Sequence, residues 1–124
     1  MSIKEQIDVI IRFADLLQEI SNEPALGNEE YARITDLEAE LRRIVQDLIV
    51  ESIHETLEEA DEAMEGLNAL TEEMEQTVDK VQNVDKIIRI ATGTIKFVTS
   101  VASGNVGQAA SDAMAIVEII KEDG

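Results

Sequence analysis

The stretch that decides the fold is residues 67–102, which read LNALTEEMEQTVDKVQNVDKIIRIATGTIKFVTSVA. Apolar residues recur through it in steps of three or four, and one polar residue interrupts the row. The row consists of Leu67, Leu70, Met74, Thr77, Val81, Val84, Ile88, Ala91, Ile95, Val98 and Ala102. Such spacing, sustained over about five heptads, is typical of helices that pack against other helices. The sequence therefore predicts an all-α fold.

The segments on either side of this stretch carry the same helical spacing. Residues 3–21 hold two apolar rows, which predicts a first helix that is packed on two sides. Residues 21–28 contain Asn, Pro and Gly and predict a loop. A second helix is expected from residue 29, and a turn at 103–105 is expected to precede a last helix over 106–120.

Residues 66–71 leave two interpretations of the middle of the chain open. Gly66 is suited to end a helix, and Thr71 is suited to begin the next one. The carboxylates between Asp61 and Glu65 would then lie at the negative end of a helix, which the helix dipole disfavours. We predict a turn at these positions, and one continuous long helix is the alternative.

The predicted turn leads to an elongated antiparallel bundle of four helices, or of three helices if the middle is continuous. The base of the bundle would consist of residues 3–50 and 84–121. Residues 51–83 would form an acidic helical hairpin that protrudes from this base. A length of 124 residues suits one domain, so we expect a single all-α domain over residues 1–124.

Composition limits the classes of protein to which the chain can belong. Aromatic residues make up 2% of the sequence, so the core must be aliphatic, and the absence of cysteine excludes disulfides and thiolate metal sites. The first residues show no secretory pattern, and no apolar stretch reaches the length of a membrane span. A pair of short helices rich in small residues over 87–116 resembles the hairpins of helical pore-forming proteins, but Arg89 and Lys96 interrupt the first. We expect a cytoplasmic protein without a stable membrane span.

Charge is the main indication of function. The formal net charge is −17, and the 29 residues from Glu51 to Asp79 hold eleven carboxylates with no Lys or Arg. Such a chain repels nucleic acid, so we expect no direct nucleic-acid binding and, instead, a basic protein partner. The residues expected to bind this partner are Glu55, Glu58, Glu59, Glu62, Glu65, Glu72, Glu73 and Glu75.

Repulsion within the acidic segment suggests that another molecule covers it. Carboxylates four residues apart occur at 51/55, 55/59, 58/62, 61/65 and 75/79. Each such pair costs a few tenths of a kcal/mol, about 1–2.5 kcal/mol in all. We therefore expect a homo-oligomer, most simply a dimer, or a complex with a basic protein.

Two resemblances offer a metal-dependent alternative. Glu51 and His54 have the Glu-x-x-His spacing, which resembles one half of the metal site in ferritin-like di-iron proteins. A second such pair is absent from the chain, and a symmetric dimer could supply it. The alternative metal ligands are Glu51, His54, Glu58 and Glu62, with a divalent cation as the cofactor.

Residues 57–63, LEEADEA, resemble the acidic helices of all-α nucleotide pyrophosphohydrolases of the MazG-like kind. The resemblance implies magnesium binding by Glu58, Glu59 and Glu62 and a dimeric assembly. The second Glu-x-x-Asp motif of that family is missing, and the nearest approximation, Glu75 with Asp79, has a different spacing.

The sequence as a whole favours a non-enzymatic acidic helical module for protein–protein interaction or assembly, without a required cofactor. An acidic inhibitor or antitoxin-like mimic of nucleic acid is one alternative, and a metal-dependent all-α nucleotide pyrophosphohydrolase is another. No catalytic residue is predicted, because the chain lacks cysteine and a Ser–His–acid or phosphate-loop pattern.

Overall fold

The structure of the chain is a computed structural model that describes residues 3–50, 58–77 and 83–122, without the side chains of residues 3, 47–50, 58 and 59. These residues form five α-helices and no strand, which confirms the all-α prediction. The helices are α1 (Ile3–Ser21), α2 (Asn28–Val50), α3 (Glu58–Glu75), α4 (Val84–Ala102) and α5 (Val106–Lys121).

The five helices close a ring around one core. Within the described residues, α1 packs chiefly against α2 and α3, α5 packs against α3 and α4, and α2 packs against α4. The order around the bundle is therefore α1, α2, α4, α5, α3. Buried apolar side chains from all five helices form one core, and its largest fully buried members include Phe13 and Phe97.

The two apolar rows of α1 explain its place in this ring. The eight row residues whose side chains are described are all buried, and they cover two sides of the helix: Ile7, Val9, Ile10, Phe13, Ala14, Leu16, Leu17 and Ile20. One helix with two buried sides needs two neighbours. The predicted packing of α1 on two sides is confirmed by its contacts with α2 and α3.

The turn into α5 follows the predicted chemistry. Gly104 has a φ of 77°, a left-handed conformation that glycine adopts without the steric cost of a β-carbon. Oδ1 of Asn105 then accepts a hydrogen bond from the backbone N–H of Gln108 over 3.1 Å. This N-cap satisfies one of the free donors at the start of α5.

The predicted turn at residues 66–71 is wrong, because these residues lie inside α3. The φ of Gly66 is not positive, and Thr71 is fully buried with its hydroxyl donating to the carbonyl of Leu67 over 2.8 Å. The α3 helix continues because its apolar face, including Met64 and Leu67, is covered by neighbouring helices.

The alternative of one continuous helix is also not observed. The helix α3 ends at Glu75, where the N–H groups of Gln76 and Thr77 donate to carbonyls three residues earlier. The next helix, α4, begins only at Val84. Five separate described helices thus replace the predicted four or three.

The protruding acidic hairpin is corrected by the position of α3. Its buried residues, from Ala60 to Met74, belong to the same core as those of α1 and α5. The acidic helix is therefore a wall of the bundle and does not project from it. The remainder of the predicted hairpin, at 51–57 and 78–82, lies outside the described residues.

Candidate functional site

The position of α3 separates its residues into a buried side and an exposed side. Six residues face the core: Ala60, Ala63, Met64, Leu67, Thr71 and Met74. The opposite side exposes the carboxylates of Glu62, Glu65, Glu72 and Glu73, with the small residue Ala69 between them. We call these four carboxylates the acidic face of α3. The core holds the helix in place, so the four side chains project from a fixed backbone.

Arg12 of α1 neutralises one edge of this surface. Its Nε donates to Oε1 of Glu75 over 2.8 Å, and its Nη1 donates to Oε1 of Glu72 over 3.1 Å. Nη1 also lies 3.3 Å from Oδ1 of Asn68. The hydrogen bonds that Arg12 donates to Glu75 are the main reason that the pKa of Arg12 is raised. The Arg12 side chain is 41% exposed, so solvent screens these ion pairs.

The opposite edge of α3 meets the end of α5. Nζ of Lys121 lies 3.7 Å from Oε1 of Glu62, and both side chains are more than half exposed. At such a distance and exposure the pair contributes little to stability. Glu62 therefore remains accessible to another cation.

Glu65 and Glu73 differ from the other two members of the acidic face. Across the portions of the chain that the structure describes, neither has an ion pair or a side-chain hydrogen bond. Both are exposed. Two of the four carboxylates are thus unneutralised within the described structure.

The structure places five of the eight predicted partner-binding residues on the surface of α3. Glu62, Glu65, Glu72 and Glu73 share the acidic face, whereas Glu75 is turned towards α1. Glu58 and Glu59 belong to α3, but their side chains are not among the described ones, and Glu55 lies in the undescribed segment 51–57. The prediction that these residues bind a partner stays a prediction.

The alternative metal ligands are only partly visible. Glu62 is exposed on α3, whereas Glu51 and His54 lie in the segment 51–57 and the side chain of Glu58 is not described. Among the residues that the structure does describe, no three His, Asp or Glu side chains are grouped so that they could hold a metal ion. The alternative of a metal site at Glu51, His54, Glu58 and Glu62 stays a prediction.

A second surface has the opposite charge. A groove of about 360 Å³ lies between α4 and α5, beside α2. Its cationic residues are Arg33 of α2 and Arg89 and Lys96 of α4, and we call it the cationic groove. Its other lining residues are Ile88, Thr92, Gly93, Asp112, Ala115 and Ile119.

The cations of this groove are unequally neutralised. Nη1 of Arg89 donates to Oε2 of Glu122 over 2.6 Å, and Nη2 donates to Oε1 over 3.0 Å. These hydrogen bonds lower the pKa of the Glu122 carboxyl. Arg33 and Lys96 are exposed, and neither has a carboxylate partner in the described part of the chain. In a protein where 27 acidic residues face 10 basic ones, two such unpaired cations beside one groove are unexpected.

One carboxylate also lines the groove, but it is already hydrogen-bonded. Oδ2 of Asp112 accepts from the hydroxyl of Ser100 over 2.7 Å, and Oδ1 accepts from Nε2 of Gln108 over 2.8 Å. The bond from Ser100 ties α5 to α4, and both bonds leave Asp112 fewer free lone pairs for the cations. The local excess of positive charge therefore remains with Arg33 and Lys96.

Sequence reasoning missed the cationic groove. Arg89 and Lys96 are seven residues apart, which places them on one side of a helix. The sequence could therefore have indicated the two cations of α4. Arg33 is 56 positions before Arg89, and only the packing of α2 against α4 brings the two together.

No family model, no curated protein and no solved structure matches this chain. Within the described portion, none of the helices is long and apolar enough to cross a bilayer. The acidic face of α3 and the cationic groove are therefore the features that bear on function.

Proposed function

We propose that this protein is a non-enzymatic interaction module that binds a basic protein surface through the acidic face of α3. The observation that carries the proposal is the presence of four exposed carboxylates on a helix whose other side belongs to the core. Two of them, Glu65 and Glu73, form no ion pair in the described structure. A basic partner would supply the missing counter-charges.

The rigid backing of α3 favours binding. A helix that is already folded and packed loses little conformational freedom when a partner docks on it. The remaining cost is the ordering of a few glutamate side chains, which are exposed in the free protein. The acidic face is thus prepared for contact without a folding step.

The net charge of −17 would act before contact is made. A strongly negative molecule attracts basic partners over a distance of about one Debye length, roughly 8 Å at physiological salt. Complementary charge mainly raises the association rate and excludes wrong partners. A basic nucleic-acid-binding groove of another protein is one surface of the required kind.

A titration with octalysine peptide, followed by backbone NMR, tests this proposal. We expect shift changes concentrated at residues 62–73 of α3 and an affinity that falls as NaCl is raised. The variant E65Q/E73Q should weaken binding about three- to tenfold, since exposed ion pairs contribute about 0.2–1 kcal/mol each.

The matched control is E19Q/D36N, which removes two exposed carboxylates from α1 and α2. It changes the net charge by the same amount as E65Q/E73Q and should leave the affinity nearly unchanged. Equal effects of the two double variants would show that octalysine responds only to total charge, and the assignment to α3 would fail.

A further inference from the structure

We propose that the cationic groove receives the acidic face of α3 from a second copy of this chain, which produces a two-fold symmetric dimer. The inference rests on the proposed function, because it uses the same acidic face and names the surface that this face binds. Each copy carries both halves of the contact, so one dimer contains the contact twice.

The acidic face of α3 and the cationic groove carry opposite charges. The acidic face presents four carboxylates, and the groove presents Arg33, Arg89 and Lys96. Arg33 and Lys96 form no ion pair in the described structure, and neither do Glu65 and Glu73. The cations of the groove could therefore pair with the carboxylates of the acidic face.

The shapes of the groove and of the exposed face of α3 are also compatible. The groove runs along α4 between Ile88 and Lys96, about 12 Å at 1.5 Å per residue. Its lining includes the small residues Gly93 and Ala115, which add little side-chain bulk to the groove. On α3 the exposed residue between Glu65 and Glu72 is Ala69, so the centre of that helix face is also small. A helix with a small central residue and charged margins fits a helix–helix groove with cationic margins.

The order of the helices allows both contacts to form at once. The acidic face lies on α3 and the groove lies beside α4, and α5 packs between these two helices. A two-fold axis parallel to α5 places α3 of each copy over the groove of the other. An axis in the interface perpendicular to α5 would place α3 over α3, where the carboxylates repel.

The exposed side of α5 would then lie at the centre of the dimer. It carries Ser111, Met114, Ala115 and Glu118, and Met114 is 40% exposed although it is apolar. Contact between the two copies of α5 would remove this methionine from water. With the axis parallel to α5, each residue of the helix faces its own counterpart. Glu118 therefore lies beside Glu118 of the second copy, one like-charge pair against the two complementary contacts between α3 and the groove.

Light scattering on wild-type protein at 0.15 M NaCl should give twice the chain mass of 13.7 kDa. The variants R33E/K96E and E65K/E73K should each scatter as a monomer, with unchanged helical circular dichroism. An equimolar mixture of the two should restore the dimer mass, because one contact is then native and the other is charge-reversed. Wild-type protein that stays a monomer at 100 μM, or a mixture that does not associate, would overturn the inference.

The engineered thiol variant S111C tests the axis. The chain contains no cysteine, so oxidation of this variant can form only the disulfide between two copies. We expect rapid cross-linking for S111C and none for A39C, which places a thiol on the exposed side of α2. Equal cross-linking of the two would contradict the dimer. Because the dimer would cover the acidic face, the octalysine titration that separates the two proposals uses R33E/K96E, which keeps Glu65 and Glu73. A monomeric wild type together with octalysine binding at α3 of this variant would reject the dimer alone, whereas no octalysine binding at α3 of this variant would reject the proposed function.

Discussion

Gly66 of α3 lies directly against Ile120 of α5: a β-carbon on Gly66 would be 3.3 Å from Cδ1 of that side chain. Cδ1 is the flexible tip of a partly buried isoleucine, so it can move by a few tenths of an ångström. Glycine inside a helix costs about 1 kcal/mol relative to alanine.

We therefore expect Gly66→Ala to raise the free energy of unfolding by about 0.5–1 kcal/mol, because alanine favours the helix. Urea unfolding followed by circular dichroism measures the change. If residues 66–71 formed a turn with a left-handed glycine, the same substitution would destabilise the protein by about 1–2 kcal/mol.

Gly93→Ala is the matched comparison. A β-carbon on Gly93 would also lie 3.3 Å from a neighbour, but that neighbour is Cγ1 of the fully buried Ile116. The close-packed core resists this movement, so we expect a smaller gain than at Gly66 or a net loss. A larger gain at Gly93 than at Gly66 would show that the α4–α5 contact is looser than described.

Thr71→Val tests whether residue 71 begins a helix or lies within one. In the structure the Thr71 hydroxyl donates to its own helix and its methyl group is buried, so valine should change the free energy of unfolding by less than about 1 kcal/mol in either direction. Asn105→Ala, at an observed N-cap, should cost about 1 kcal/mol in the same urea assay. Similar losses for both variants would favour a cap at Thr71.

Arg12→Gln separates stability from binding. The substitution removes the ion pairs with Glu72 and Glu75, so we expect a small decrease in the unfolding midpoint that disappears in 1 M NaCl. It also frees two carboxylates, so octalysine should bind more tightly, by about two- to fivefold. An unchanged or weaker affinity would exclude Glu72 from the binding surface.

The Arg89–Glu122 pair should give stability a defined pH dependence. The folded pKa of Glu122 is below its ordinary value because Arg89 donates hydrogen bonds to it. A lowered folded pKa means that the contribution is complete above about pH 5 and is lost as the pH falls through the folded pKa. Glu122→Gln should therefore be less stable than wild type at pH 7 and equal to it near pH 2. A difference that persists at low pH would assign the effect to packing.

Local chemistry made much of the fold predictable. The two rows of α1 specified a helix with two neighbours, and Asn105 with Gln108 specified the start of α5. These features depend on residues close together in sequence. The spacing and the type of the side chains were therefore enough to predict them.

The end of α3 at Glu75 could not be predicted from such local patterns. No glycine or proline occurs between 76 and 83, and the apolar row continues through the break. Whether α3 packs in the bundle or protrudes from it depends on which helix covers Met64 and Leu67. Its apolar face has the same spacing in both cases, so the pattern could not distinguish them.

The ring of five helices has a consequence of parity. Neighbours in a ring can alternate in direction only when their number is even, so at least one adjacent pair here must point the same way. Gln6 contacts Asp61 and Arg12 contacts Glu75, which identifies α1 and α3 as such a pair. Their dipoles lie side by side without cancelling. Arg12 bridges these two parallel helices at the edge of the acidic face.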